Sequence, residues 1–159
     1  MIRTITLNTG FDEIVRVVPP PQAAADASAV GELVERLVLP SGKGVNGARA
    51  MRALGEPVTV YGLIGTGERD RFAAALAREG IPSQLEPVDA VTRTNLTVID
   101  ESSRGSRHYR AAGFTLSDGG AVARLLDRLD RDLSPGDIVS LHGSLPAGVP
   151  DDTWRRCAA

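Results

Sequence analysis

A few polar residues stand where a ligand could meet them. Ser41-Gly42-Lys43-Gly44 runs directly into a helical stripe of apolar residues. Glycines without a Cβ let the backbone come close to a ligand, the amides of a first helical turn point at it, and Lys43 adds a mobile positive charge. This is not a Walker A loop, because Leu37 stands where its first glycine belongs and Gly44 where Ser or Thr must follow the lysine. Two readings stay open: an anion or polar-ligand site, and a simple helix-start turn. Asn46, in the same turn, either bonds a sugar hydroxyl or caps the helix. Asp12, soon after a strand end, can accept two hydrogen bonds from adjacent hydroxyls of a polyol, or it is a solvated loop residue. Arg93, within Val91-Thr92-Arg93-Thr94-Asn95, either meets a phosphate or decorates a strand edge. Gly143-Ser144-Leu145-Pro146 is a tight loop whose amides and Ser144 hydroxyl suit a phosphate, or it is a rigid turn.

Other chemistries find little support. His108 and His142 are the only imidazoles, and neither has an Asp, Glu or Cys at metal-ligand spacing. No G-x-S-x-G surrounds any serine, which argues against a Ser-His-Asp hydrolase. Cys157 is the single cysteine, so an intrachain disulfide or thiolate cluster is excluded, and it reads as a packed thiol. Aromatics are 4% of the chain and the formal net charge is -2, which gives no reason to expect nucleic acid or anionic lipid as a partner. No apolar run approaches 18 residues and no signal peptide opens the sequence, so no membrane partner and a cytoplasmic location are expected.

The elements that must position these residues follow from periodicity. With 42% hydrophobic and 24% charged residues over 159 positions, the chain can bury a core. Strands are expected over 2–7, 13–18, 58–64, 96–100, 106–110 and 137–141, the fourth and fifth forming a hairpin around Arg104-Gly105. The run 30–39 suits strand or helix and is read as strand, lying between a proline cluster and Pro40. Asp12 falls on the segment joining the first two strands. The Ala-rich stretch 22–28 shows no usable period. Helices are expected over 45–54 and 69–78, from Asp118, and from Pro150-Asp151-Asp152. The last has barely two turns before the sequence stops, which reads as a cut inside an element. Alternating strands and helices imply an open α/β sheet with crossovers, whose ligands sit at the carboxyl ends of strands. The turns after Leu7, Leu39, Ile64 and Leu141 are therefore the expected sites.

Four stretches taken together carry a resemblance: Thr6-Leu7-Asn8 with Asp12; Ser41-Gly42-Lys43-Gly44-Val45-Asn46 with Ala48-Arg49; Thr92-Arg93-Thr94-Asn95; and the run from Leu141-His142-Gly143-Ser144 through Pro150. In order and spacing the chain resembles the N-terminal part of the PfkB carbohydrate kinase family, nearest its 1-phosphofructokinase and tagatose-6-phosphate kinase branch. The resemblance implies a ribokinase-like three-layer α/β/α sandwich with a small β-sheet lid, drawn from about 13–39 and 95–110, through which a homodimer forms. It implies that Asp12 holds sugar hydroxyls, that Gly42 and Asn46 line the same pocket, and that Lys43 contacts the phosphate already on the substrate. Arg93 and Ser144 become further phosphate or sugar contacts. The implied substrate is a sugar phosphate of the fructose 1-phosphate or tagatose 6-phosphate type, phosphorylated by in-line transfer from ATP with Mg2+.

In that family the catalytic base lies in a G-A-G-D segment of the C-terminal half. No such segment occurs in these 159 residues, and Ala111-Ala112-Gly113-Phe114 lacks both its first glycine and its aspartate. The expectation is a sugar-binding half that neither phosphorylates its ligand nor binds ATP and Mg2+ strongly alone, with an uncovered sheet edge that makes it self-associate or leaves it marginally stable. The alternative is a non-catalytic sugar-phosphate-binding or regulatory module. A kinase of unphosphorylated sugars is a third reading, opposed by Lys43 and Arg93. Departures from the family pattern at Thr9-Gly10-Phe11, Gly65-Thr66-Gly67-Glu68-Arg69-Asp70, Phe114 and His142 bear on the substrate, with His142 expected at the pocket wall.

Overall fold

The computed structural model describes residues 1–20, 30–103 and 105–158. The Ala-rich stretch 22–28, together with Pro21, Ala29, Arg104 and Ala159, lies outside them. Two four-stranded sheets organise the chain. The main sheet has the order β5-β4-β1-β8, built from β1 (Ile2–Thr6), β4 (Val58–Gly65), β5 (Ser83–Val88) and β8 (Ile138–His142), all paired in parallel. The second sheet has the order β3-β2-β6-β7, from β2 (Gly10–Val18), β3 (Glu32–Ser41), β6 (Arg93–Asp100) and β7 (Gly105–Tyr109). Its central pair, β2 and β6, is parallel and its outer pairs are antiparallel. The run read as strand over 30–39 is β3, shifted to Glu32–Ser41, and the 96–110 segment holds the expected antiparallel hairpin of β6 and β7.

β4 shows why the main sheet takes three layers. All eight of its residues are buried, as a parallel strand covered on both faces requires. Val58, Val60 and Ile64 face one cluster, with Val45 and Ala48 of α1 (Lys43–Ala53) and Phe72 and Leu76 of α2 (Arg69–Arg78). Tyr61 and Leu63 face the other, with Leu125 and Leu129 of α3 (Ala121–Asp132). Helices therefore cover both faces, and α4 (Thr153–Cys157) ends the described chain. At the far end of the sheet Arg3 donates to Asp137 (Nε to Oδ2, 2.9 Å) and to the Tyr61 hydroxyl (2.8 Å), which in turn donates to Asp132 (2.7 Å). Burial, then the bond to Asp132, pushes the Tyr61 phenol up to about 12.

Three element expectations need correction, and one strand was not expected. Asp12 lies within β2, not on a connecting segment, because β2 begins three residues earlier than the apolar run suggests and pairs Gly10 with both Ser41 and Arg93. β5 escapes the periodicity reading: Ser83–Val88 mixes polar residues with Pro87, which is tolerated because β5 is an edge strand. The third helix starts at Ala121, since Asp118 is spent on a local turn, its carboxylate accepting from the Gly120 amide at 2.8 Å. The last helix starts at Thr153, three residues after Pro150.

Candidate functional site

A cleft of about 520 Å3 lies where the carboxyl ends of β1 and β8, the start of α1 and one face of the second sheet converge. All six residues singled out from sequence, Asp12, Gly42, Lys43, Asn46, Arg93 and Ser144, line it. Each arrives by a different route. β2 carries Asp12 and its neighbour β6 carries Arg93 and Asn95; the parallel register sets Asp12 opposite Asn95. β3 ends at Ser41, and the chain turns straight into α1 through Gly42, whose φ of +140° an L side chain rarely adopts. Gly44 then lets α1 press on β1, since a Cβ there would lie 3.1 Å from the Ile5 carbonyl oxygen.

The Asp12 carboxylate is fixed at both oxygens. Ser41 Oγ donates to Oδ2 at 2.6 Å and Asn95 Nδ2 donates to Oδ1 at 2.8 Å. Asn95 Oδ1 in turn accepts from the Ala111 amide at 3.3 Å. Each carboxylate oxygen keeps a further lone pair for a hydroxyl donor. Lys43, Arg93 and Arg110 also line the cleft, and none of them forms an ion pair among the described residues. With Asp12 as the one lining carboxylate, the cleft carries three cations against one anion. The first turn of α1 adds unpaired amides and contains no acidic residue. Arg93 donates from its guanidinium to the Asn8 carbonyl at 3.1 Å, and Asn8 Nδ2 donates to Ser144 Oγ at 3.1 Å.

Asn46 is not the helix cap. No side chain caps α1, and the Asn46 Oδ1 accepts from Arg49 at 3.2 Å, which leaves its amide nitrogen free for the cleft it lines. Arg49 continues to the Pro40 carbonyl (2.9 Å) and to Glu79 on both oxygens (2.5 and 2.8 Å), tying α1 to α2 beside the site. The Arg49 hydrogen bond holds the Glu79 carboxyl below the usual carboxylate range.

Asn95, Arg110 and His108 also line the cleft and were not among the site residues read from sequence. Asn95 stood within a quoted motif, one residue beyond Thr94. His108 and Arg110 sit at the end of a hairpin where nothing in spacing marks them; the pairing of Thr97 with His108 brings them over the pocket. His108 Nδ1 lies 3.0 Å from Thr97 Oγ1.

A family model described as pfkB family carbohydrate kinase matches residues 11–159. The chain belongs to the pfkB family of carbohydrate kinases. It is 31% identical over 157 residues to a 1-phosphofructokinase of Xanthomonas campestris pv. campestris, covering 98% of this chain and 47% of that one. It is 33% identical over 161 residues to a 1-phosphofructokinase of Rhodobacter capsulatus, covering 99% and 48%. Among solved structures, phosphofructokinase-2 from Escherichia coli in complex with fructose-6-phosphate superposes with a TM-score of 0.83 at 25% identity, over 99% of this chain and 50% of that one. The chain thus spans about half the length of the curated relatives it matches.

Among the departures of this pfkB-family chain, Thr9, Gly10, Phe11, Gly65 and Phe114 are buried. Phe11 packs edge-on against Phe72, ring centres 5.3 Å apart, with the Arg71 guanidinium 4.7 Å from its centre. Gly10 leaves room for Arg93, whose Cγ would lie 3.0 Å from a Cβ at position 10. Phe114 is buried against the α3 side of the main sheet. His142 is not at the pocket wall: it faces Gly47 of α1, bonds Ser140 (2.8 Å), and does not line the cleft, because residue alternation on β8 turns it to the α1 side of the sheet. The turn after Ile64 does not reach the cleft either. There the Gly65 amide donates to Thr92 Oγ1 (2.8 Å) and the Thr92 amide to Glu68 (3.2 Å), bracing the segment that precedes Arg93.

Proposed function

We propose that this chain is the sugar-phosphate-binding half of an ATP-dependent phosphosugar kinase, with a substrate of the fructose 1-phosphate or tagatose 6-phosphate type. The observation that carries the reading is the split electrostatics of the cleft. A carboxylate held at both oxygens suits the hydroxyls of a polyol, and three cations lining the same cleft, Lys43 of them at a helix start, suit a phosphate dianion. A neutral sugar needs no such excess of positive charge.

In this reading Asp12 orients the ring hydroxyls, Gly42 and Asn46 shape the floor, and Lys43, Arg93 and Ser144 hold the phosphate. The second sheet lies over the sugar as a lid and provides the contact for a homodimer. In the complete enzyme ATP would supply the phosphoryl group and Mg2+ would screen its charge; the G-A-G-D segment expected to carry the base does not occur in these 159 residues. What these residues do is bind and orient the acceptor. No described helix is long and apolar enough to cross a membrane.

The test is ADP release by the intact protein as its source makes it, with ATP and Mg2+ and with fructose 1-phosphate, tagatose 6-phosphate or fructose as acceptor. Release that depends on a phosphosugar supports the kinase reading. Phosphosugar binding without release replaces it with a non-catalytic binding module, and release with fructose alone overturns the substrate class.

A further inference from the structure

We propose that Asn8 is a positioning residue that turns the Ser144 hydroxyl proton into the cleft, toward an anionic group of the ligand. The inference rests on the phosphosugar reading above and adds a residue to it. Asn8 sits just past the carboxyl end of β1 and is only 8% exposed. Its Nδ2 donates to Ser144 Oγ at 3.1 Å, across 136 residues of sequence. A hydroxyl that accepts a hydrogen bond keeps its own proton to donate elsewhere. Ser144 is exposed to the cleft, so that proton is available to a ligand. The main-chain carbonyl of the same Asn8 accepts from Arg93, which sets the oriented hydroxyl beside a cation.

Packing alone gives no reason for an amide at this position. Asn8 Oδ1 is buried without a hydrogen-bond partner among the described residues, a costly arrangement that an apolar side chain of similar size would avoid. The reverse orientation would leave both N–H donors of the amide unpaired, whereas the one described leaves the oxygen and one N–H. Gly113 closes the space behind: a Cβ there would fall 2.5 Å from Oδ1 and 2.7 Å from Nδ2. The amide is therefore held in one place, and its single side-chain bond goes to Ser144.

The test is a double-mutant cycle in the intact protein, with Asn8→Leu, Ser144→Ala and the pair, each titrated by calorimetry with fructose 1-phosphate and with fructose. Asn8→Leu keeps the branched side-chain skeleton with bulkier methyl ends, and Asn8→Ala serves in the same cycle should the leucine not fit. Each single substitution should weaken fructose 1-phosphate about tenfold, as for a bond to a charged group, and fructose by less than about twofold. The pair should be no weaker than Ser144→Ala alone, because Asn8 acts through Ser144. Losses that multiply in the pair, or that are equal for both sugars, overturn the proposal while leaving the phosphosugar reading standing. A wild-type protein that binds fructose at least as tightly as fructose 1-phosphate overturns both.

Discussion

At the residue scale, Lys43 is the sharpest probe of the site. Its ammonium is exposed at the mouth of the cleft and forms no ion pair among the described residues, so its removal disturbs no partner. A single charge-assisted bond contributes about 1.5–3 kcal/mol. Lys43→Ala should therefore weaken fructose 1-phosphate by about tenfold to a hundredfold, with the thermal midpoint and fructose binding nearly unchanged. Calorimetry and a melting curve check this; an equal loss for both sugars would place Lys43 away from the phosphate. Asp12 differs, because Ser41 and Asn95 both depend on it. Most of this site was legible from sequence because the chemistry sits in short segments: a glycine-flanked lysine at a helix start, and a serine after a glycine at a strand end. His108 and Arg110 were not, because only strand pairing brings a hairpin over a pocket.

At the element scale, the position of α1 depends on a bridge to α2. Arg49 grips Glu79 with two bonds and the Pro40 carbonyl with a third, so the helix that presents Lys43 and Asn46 is braced from behind. The Glu79 carboxyl is lower in the folded chain than in the unfolded one, chiefly through the Arg49 hydrogen bond. A depressed carboxyl stabilises above its unfolded value, and that contribution fades as pH falls through the folded value. Glu79→Gln should thus lower stability by about 1 kcal/mol or less at pH 7, since the pair is partly exposed, and the gap to wild type should close below about pH 4, near the reference range of carboxyl groups. Urea denaturation at both pH values measures it, and a gap that persists in acid would mean the ion pair is not its source. Elements whose period was strong, such as α2 with Phe72 and Leu76 on one face, read correctly to the residue. Elements set by tertiary pairing did not: β5 is a strand only because β4 lies beside it, and β2 extends over Gly10 and Asp12 because Ser41 and Arg93 pair with its first residue.

At the scale of the whole molecule, the second sheet is the exposed part. Leu33, Val34 and Leu37 of β3 are 58%, 53% and 42% exposed, on a strand at the sheet's edge. Apolar side chains on an open strand edge favour pairing with another chain. The lid reading predicts a dimer in sedimentation equilibrium, with Leu37→Glu weakening it by about thirtyfold or more, as for a central contact residue. A wild-type monomer at tens of micromolar would argue that this face meets something else. The same sheet supplies Asp12, Arg93 and Asn95 to the cleft, so a dimer formed through it would share one scaffold with the cleft.

The central claim is that the cleft recognises a sugar through its phosphate. The most direct measurement is calorimetric titration of the intact protein with fructose 1-phosphate, tagatose 6-phosphate and fructose at one ionic strength. The account predicts that at least one phosphosugar binds about tenfold or more tighter than fructose, with the difference shrinking as salt is raised. Equal or tighter binding of fructose would contradict it, because Lys43, Arg93 and Arg110 would then face no phosphate.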